Sequence, residues 1–184
     1  MKWLLATAFT LALPMAGIQQ PGAGQYFKGL SLLDQDGRRV DLYRDVIEGH
    51  VVLIHTFFTS CEASCPILIG SVSSLQTRFA SELGHRLRFV SITVDARNDT
   101  PPKLRAYADR TKAGSGWLFL TGSELEVDAA LTRLGQYVNS RDAHSNVMIV
   151  GNEPTGLWKK VFGLSSARAI GDVIDSVLND RGAP

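Results

Sequence analysis

The 184-residue chain holds only two cysteines, Cys61 and Cys65, so no framework of disulfides can carry its stability. The one bridge they could form would close too small a loop to stabilise a domain of this length appreciably. Charge of one sign is lacking too: 19 Lys and Arg stand against 18 Asp and Glu, for a net charge of +1. No basic run occurs, which excludes nucleic acid and anionic membrane surfaces as main partners. Long hydrophobic runs are missing as well. The longest uncharged, mostly apolar stretch, residues 3–16 (WLLATAFTLALPMA), is shorter than the roughly 20 residues a spanning helix needs. There is no internal repeat and no low-complexity tract, so a solenoid or array is excluded. Finally, no proline lies between Pro102 and Pro154.

What is present suits one globular domain with a leader. Hydrophobic residues make up 45% and charged residues 20%, enough for a sizeable core. Lys2 followed by the apolar stretch and the polar Gln19-Gln20-Pro21-Gly22 reads as an export signal. Residues 1–17 are expected to be a signal peptide, or an uncleaved anchor tethering the protein to a membrane. Residues 18–25 read as a linker and 26–181 as the domain. No cysteine near the leader offers a lipid attachment site. The expected location is periplasmic or otherwise extracytoplasmic in a bacterium.

Residues 30–42 (LSLLDQDGRRVDL) place Asp36-Gly37 between two short strand-like runs, an N-terminal β-hairpin. Residues 51–58 (VVLIHTFF) are apolar on both faces, as in a central buried strand. Pro66 marks a helix start, continued by an apolar stripe at Leu68, Val72, Leu75 and Phe79. A strand at 87–94, a helix from Pro101-Pro102 to Arg110 and a short strand at 117–120 follow. Ser123 and Glu126 form a capping box that opens a helix to Leu134. Residues 146–150 and 157–162 pair as antiparallel strands, and a helix over 170–178 ends the chain. This alternation predicts an α/β fold with a mixed central sheet flanked by helices. A thioredoxin-like fold satisfies it, with the reactive loop at the carboxyl end of the first central strand.

The segment Thr59-Ser60-Cys61-Glu62-Ala63-Ser64-Cys65-Pro66 sits at that handover from strand to helix. Two thiols four apart can point the same way, and a helix N-terminus favours the thiolate that binds metal or attacks a disulfide. The spacing therefore allows a soft metal site or a redox-active dithiol. Thiol–disulfide oxidoreductases of this fold use two intervening residues, and here there are three. They also carry a cis-proline facing the dithiol, and at the comparable place stands His144. Two thiolates and an imidazole form a soft-to-borderline donor set suited to copper in either oxidation state.

The segments FFTSCEASCP, VSITVDARNDTPPKL and HSNVMIVGN, in that order, resemble the Sco/SenC family of copper-binding, thioredoxin-fold assembly factors for cytochrome c oxidase. The resemblance covers roughly residues 51–163. It implies copper bound by Cys61, Cys65 and His144, and a metallochaperone whose acceptor is a subunit of the oxidase. Two departures stand out: Glu62 follows the first cysteine where many members have proline, and Ala96 replaces a proline in Asp95–Pro101. The stretch from Tyr137 to His144 is short, which implies a reduced partner-docking insertion.

Other residues read more plainly. His55 is expected to be a hydrogen-bonded core histidine, and His50 and His85 solvated. Asp95, at a strand end beside the site, and Asp142, two residues before His144, are candidates to orient the ligands from behind. Asp99 or Thr100 is expected to cap the Pro101 helix. The competing function is a thiol–disulfide reductase using Cys61 and Cys65 as its catalytic pair, which has no use for His144. A thiol peroxidase would need a proline and an activating arginine that the loop does not provide. A zinc hydrolase would need a general base that is not evident.

Overall fold

The computed structural model describes residues 22–62 and 64–182. The predicted leader and the first half of the linker lie outside them. Residues at the end of the linker segment form a helical turn, α1 (Ala23–Tyr26). The predicted hairpin follows as β1 (Ser31–Asp34) and β2 (Arg39–Asp41), paired antiparallel. Its turn is held by the Asp34 carboxylate, which accepts from the backbone N–H of Asp36 and Arg38. Gly37 supplies the positive φ of 75°.

The remaining elements are β3 (Val51–Phe57), α2 (Cys65–Arg78), β4 (Leu87–Thr93), α3 (Pro101–Arg110), β5 (Trp117–Thr121), α4 (Glu124–Leu134), β6 (Val147–Asn152), β7 (Leu157–Phe162) and α5 (Ala167–Leu178). They form one seven-stranded sheet in the order β2-β1-β5-β4-β3-β6-β7. β3, β4 and β5 run parallel, while β6 lies antiparallel to β3 and β7 to β6. This is the mixed, thioredoxin-like sheet with an N-terminal hairpin expected from the sequence.

Each face of the sheet carries its own core. Val51, Leu53 and Phe57 of β3 pack with α2, α3 and α5, whereas Val52 and Ile54 pack with α4 and the segment around residues 27–47. Strand alternation therefore sends successive residues of one fully buried strand into two separate cores. The stripe Leu68, Val72, Leu75 and Phe79 is buried as predicted. The Ser123–Glu126 capping box is present in both directions.

Three details depart from the sequence reading. Helix α2 begins at Cys65 rather than at Pro66, so the second cysteine belongs to the first helical turn. Thr100 occupies the N-cap of α3 without a side-chain cap bond, and the Asp99 carboxylate, the other expected cap, is turned to another task described below. Leu42–Ile47 winds into a π-helical turn capped by Asp41 and buries Leu42, Val46 and Ile47. Among the described residues, no helix is long and apolar enough to cross a membrane.

Candidate metal centre

Parallel β3 and β4 end on the same side of the sheet, and antiparallel β6 begins there. Three connections therefore converge at one end: 58–64 after β3, 94–100 after β4, and 135–146 before β6. Such a convergence beyond the carboxyl ends of parallel strands is where ligands bind in open α/β sheets.

The predicted triad assembles there. One donor atom each from Cys61, Cys65 and His144 lies within 4.8 Å of the others. The Cys65 sulfur stands 3.6 Å from His144 Nε2. On the other side of the ring, Nδ1 lies 2.9 Å from the Arg141 carbonyl oxygen. A carbonyl only accepts, so Nδ1 carries the proton and Nε2 offers its lone pair toward the sulfurs. Both cysteines are free thiols; Cys61 is partly exposed and Cys65 is buried. Two sulfurs and an imidazole nitrogen aimed at one another, with one side open to solvent, fit a thiophilic ion such as copper.

Burial overrides the helix terminus at Cys65. The sequence alone favours a thiolate there, but desolvation, followed by the hydrogen bond that the Cys65 thiol donates to Cys61, pushes the Cys65 thiol up to about 12. The metal-free site therefore holds a protonated Cys65, and a bound ion would itself drive the deprotonation.

The loop that presents Cys61 is anchored from behind by Asp99, which is 1% exposed. Its carboxylate accepts from the Thr59 N–H at 3.0 Å, from the Thr59 hydroxyl, and from the Thr93 hydroxyl at 2.6 Å. Thr93 in turn accepts from the Asp95 N–H. The acidic segment after β4 thus ties itself to the cysteine loop. Nothing in the spacing of Asp95 and Asp99 reveals that link; only the adjacency of β3 and β4 does.

The two aspartates proposed to orient the ligands have different fates. Asp95 is buried and accepts from Arg141 at 2.6 Å and from the Asn98 amide, so it reaches the histidine loop only through Arg141. Asp142 is 79% exposed at its side chain and pairs with Arg141 at 3.7 Å; no contact ties it to the His144 ring. His55 is the buried core histidine expected. Trp117 Nε1 donates to the Ser91 hydroxyl, which lies 2.7 Å from His55 Nε2. His85 is exposed and His50 half-buried.

A cavity of about 610 Å³ is lined by Tyr26, Phe27, Leu134, Ile149 and Trp158 among others, and its lining contains none of the triad. The cysteine–histidine cluster lies apart from it, with Cys65 buried and Cys61 and His144 partly exposed.

Known proteins share this architecture. The chain is 34% identical over 97 residues to the SCO1 protein homolog of Bacillus subtilis, covering 52% of this chain and 49% of the relative. It therefore spans about half the length of that curated relative. Among solved structures, Arabidopsis thaliana ScoI with copper bound is similar at a TM-score of 0.67 and 22% identity, covering 80% of this chain and 95% of that one. BsSco, described as a member of the Sco family of cytochrome c oxidase assembly proteins, is similar at 0.66 and 26%, covering 80% and 90%. The SCO1/SenC family model matches residues 19–156, a span that contains all three convergent loops and every residue of the triad, and the chain belongs to that family.

Proposed function

We propose that this protein is a copper-binding metallochaperone that serves assembly of the copper centre of cytochrome c oxidase. The convergence of Cys61, Cys65 and His144 donor atoms within 4.8 Å carries the reading. Copper is cargo here: two thiolates and Nε2 hold it, and the open side lets an acceptor's ligands replace them one at a time. The acceptor is a copper-site protein, an oxidase subunit in this reading. The apolar N-terminal segment supports an extracytoplasmic, periplasmic location, with a membrane tether if the leader is retained.

The test is anaerobic titration of the reduced domain with Cu(I), and separately with Cu(II). One copper per chain is expected, with sulfur-to-copper charge-transfer absorption in the Cu(II) form. His144→Ala is expected to weaken binding by more than about 100-fold, beyond the 10–100-fold effect of losing an outer partner. Unchanged one-to-one affinity in that variant would remove His144 from the site.

A half-exposed Cys61 beside a buried Cys65 supports a second reading, thiol–disulfide reduction of acceptor cysteines. Cys61 thiolate would attack the acceptor disulfide and release one thiol. Cys65 would then break the mixed disulfide, freeing the second thiol and leaving Cys61–Cys65 oxidised. Rapid stoichiometric reduction of an acceptor disulfide by pre-reduced His144→Ala, without copper binding by wild type, would favour it.

A further inference from the structure

His144 hangs on a short 3₁₀ turn, Arg141–Ala143, that no strand or long helix holds. Such a turn would be a loose mount for a metal ligand, yet the ring is fixed from three directions that all pass through Arg141. Its carbonyl accepts from both the backbone N–H of His144 and the ring Nδ1–H. Its guanidinium donates to the buried Asp95 carboxylate at 2.6 Å. The same guanidinium stacks on the Phe58 ring at 5.2 Å, and Phe58 meets the His144 ring edge-on at 5.4 Å.

We propose that Arg141 is a positioning residue, clamped by Asp95 and Phe58, that fixes His144 in its Nδ1–H tautomer and aims Nε2 at the two sulfurs. The inference rests on the copper-site reading for its purpose, though not for its geometry. A guanidinium suits the task because its planar fork can donate to a carboxylate while its face lies on an aromatic ring. Lysine would keep the charge but lose the stack. Without the clamp, the turn carrying the carbonyl is free to move, and either ring nitrogen can take the proton.

The experiment has two readouts on the full domain. Nitrogen-15 NMR of the reduced, metal-free protein in mildly alkaline buffer reports the His144 tautomer directly. In wild type the Nδ1–H form should dominate; in Arg141→Ala and in Asp95→Asn a mixture of both tautomers should appear. Copper release to a chelator, followed by stopped flow, should then quicken by about tenfold or more in both variants, with the Cu(II) hyperfine splitting altered. Arg141→Lys should recover part of each effect. A wild-type tautomer ratio and release rate in Arg141→Ala would overturn the proposal, as would a predominantly Nε2–H ring in wild type. Circular dichroism identifies a variant that fails to fold, and Asp95→Asn and Arg141→Lys then carry the decision. If wild type binds no copper, the tautomer result still decides the clamp while the copper reading alone falls.

Discussion

Cys61 and Cys65 are four residues apart and chemically unlike. Cys65 is 1% exposed and its thiol is pushed up to about 12, whereas Cys61 is partly open to solvent. Limited iodoacetamide treatment of the reduced, metal-free protein should therefore alkylate Cys61 before Cys65, read by peptide mass mapping. Equal labelling would show that the loop does not shield Cys65. His55 makes a second residue-scale prediction. Burial lowers its pKa to about 4 from the ordinary 6.5. The folded ring thus stays neutral where the unfolded ring takes a proton. Its contribution to stability is complete above about pH 6.5 and is lost as pH falls toward 4, by roughly 3 kcal/mol in all. Urea midpoints for wild type should fall across that window, and His55→Gln should flatten the fall. An acid limb that the substitution leaves intact would assign it to other groups. The triad was legible in the sequence because cysteine and histidine advertise their chemistry. Arg141 was not, since an arginine in a polar loop is ordinarily solvated, and its role depends on a carboxylate 46 positions away.

The elements were legible where periodicity or capping chemistry announces them. The apolar run of β3, the Pro66 stripe of α2 and the Ser123–Glu126 box all emerged in place. The π-helical turn at Leu42–Ile47 was not legible, because six residues are too few for a period and its cap, Asp41, also ends a strand. Asp99 shows how an element end acquires a purpose that local rules miss. A cap for α3 is the local expectation, but the neighbouring strand brings the Thr59 amide and hydroxyl within reach and they take the carboxylate instead. Asp99→Ala should leave donors on half-buried Thr59 and buried Thr93 unpaired and destabilise the domain by about 3 kcal/mol. The urea transition measures this, and a loss below about 1 kcal/mol would mean that water replaces the carboxylate.

At the scale of the whole molecule, the site joins parts of the chain 79 positions apart, Cys65 and His144. Copper bound there holds only the folded state, so it should raise the melting temperature. At a free concentration about 100 times the dissociation constant the gain is about 2.7 kcal/mol. For a domain of this size that corresponds to roughly 5–10 °C. A differential scan with and without Cu(I) reads it, and no shift for wild type would deny a native-state site. The β3–β6 ladder adds a mechanical consequence. Its register runs from Val51↔Asn152 to Ile54↔Ile149, short of both ligand-bearing loops. Beyond it, the Thr56 hydroxyl reaches across to the Ser145 carbonyl. The β3–β6 seam is sewn at one end and held at the other by that single hydroxyl, with the cysteine loop on one lip and the His144 loop on the other. Opening such a seam asks for fraying of a few residues and leaves the stitches intact, so the proposed copper clasp would let go of its ion without the sheet coming undone.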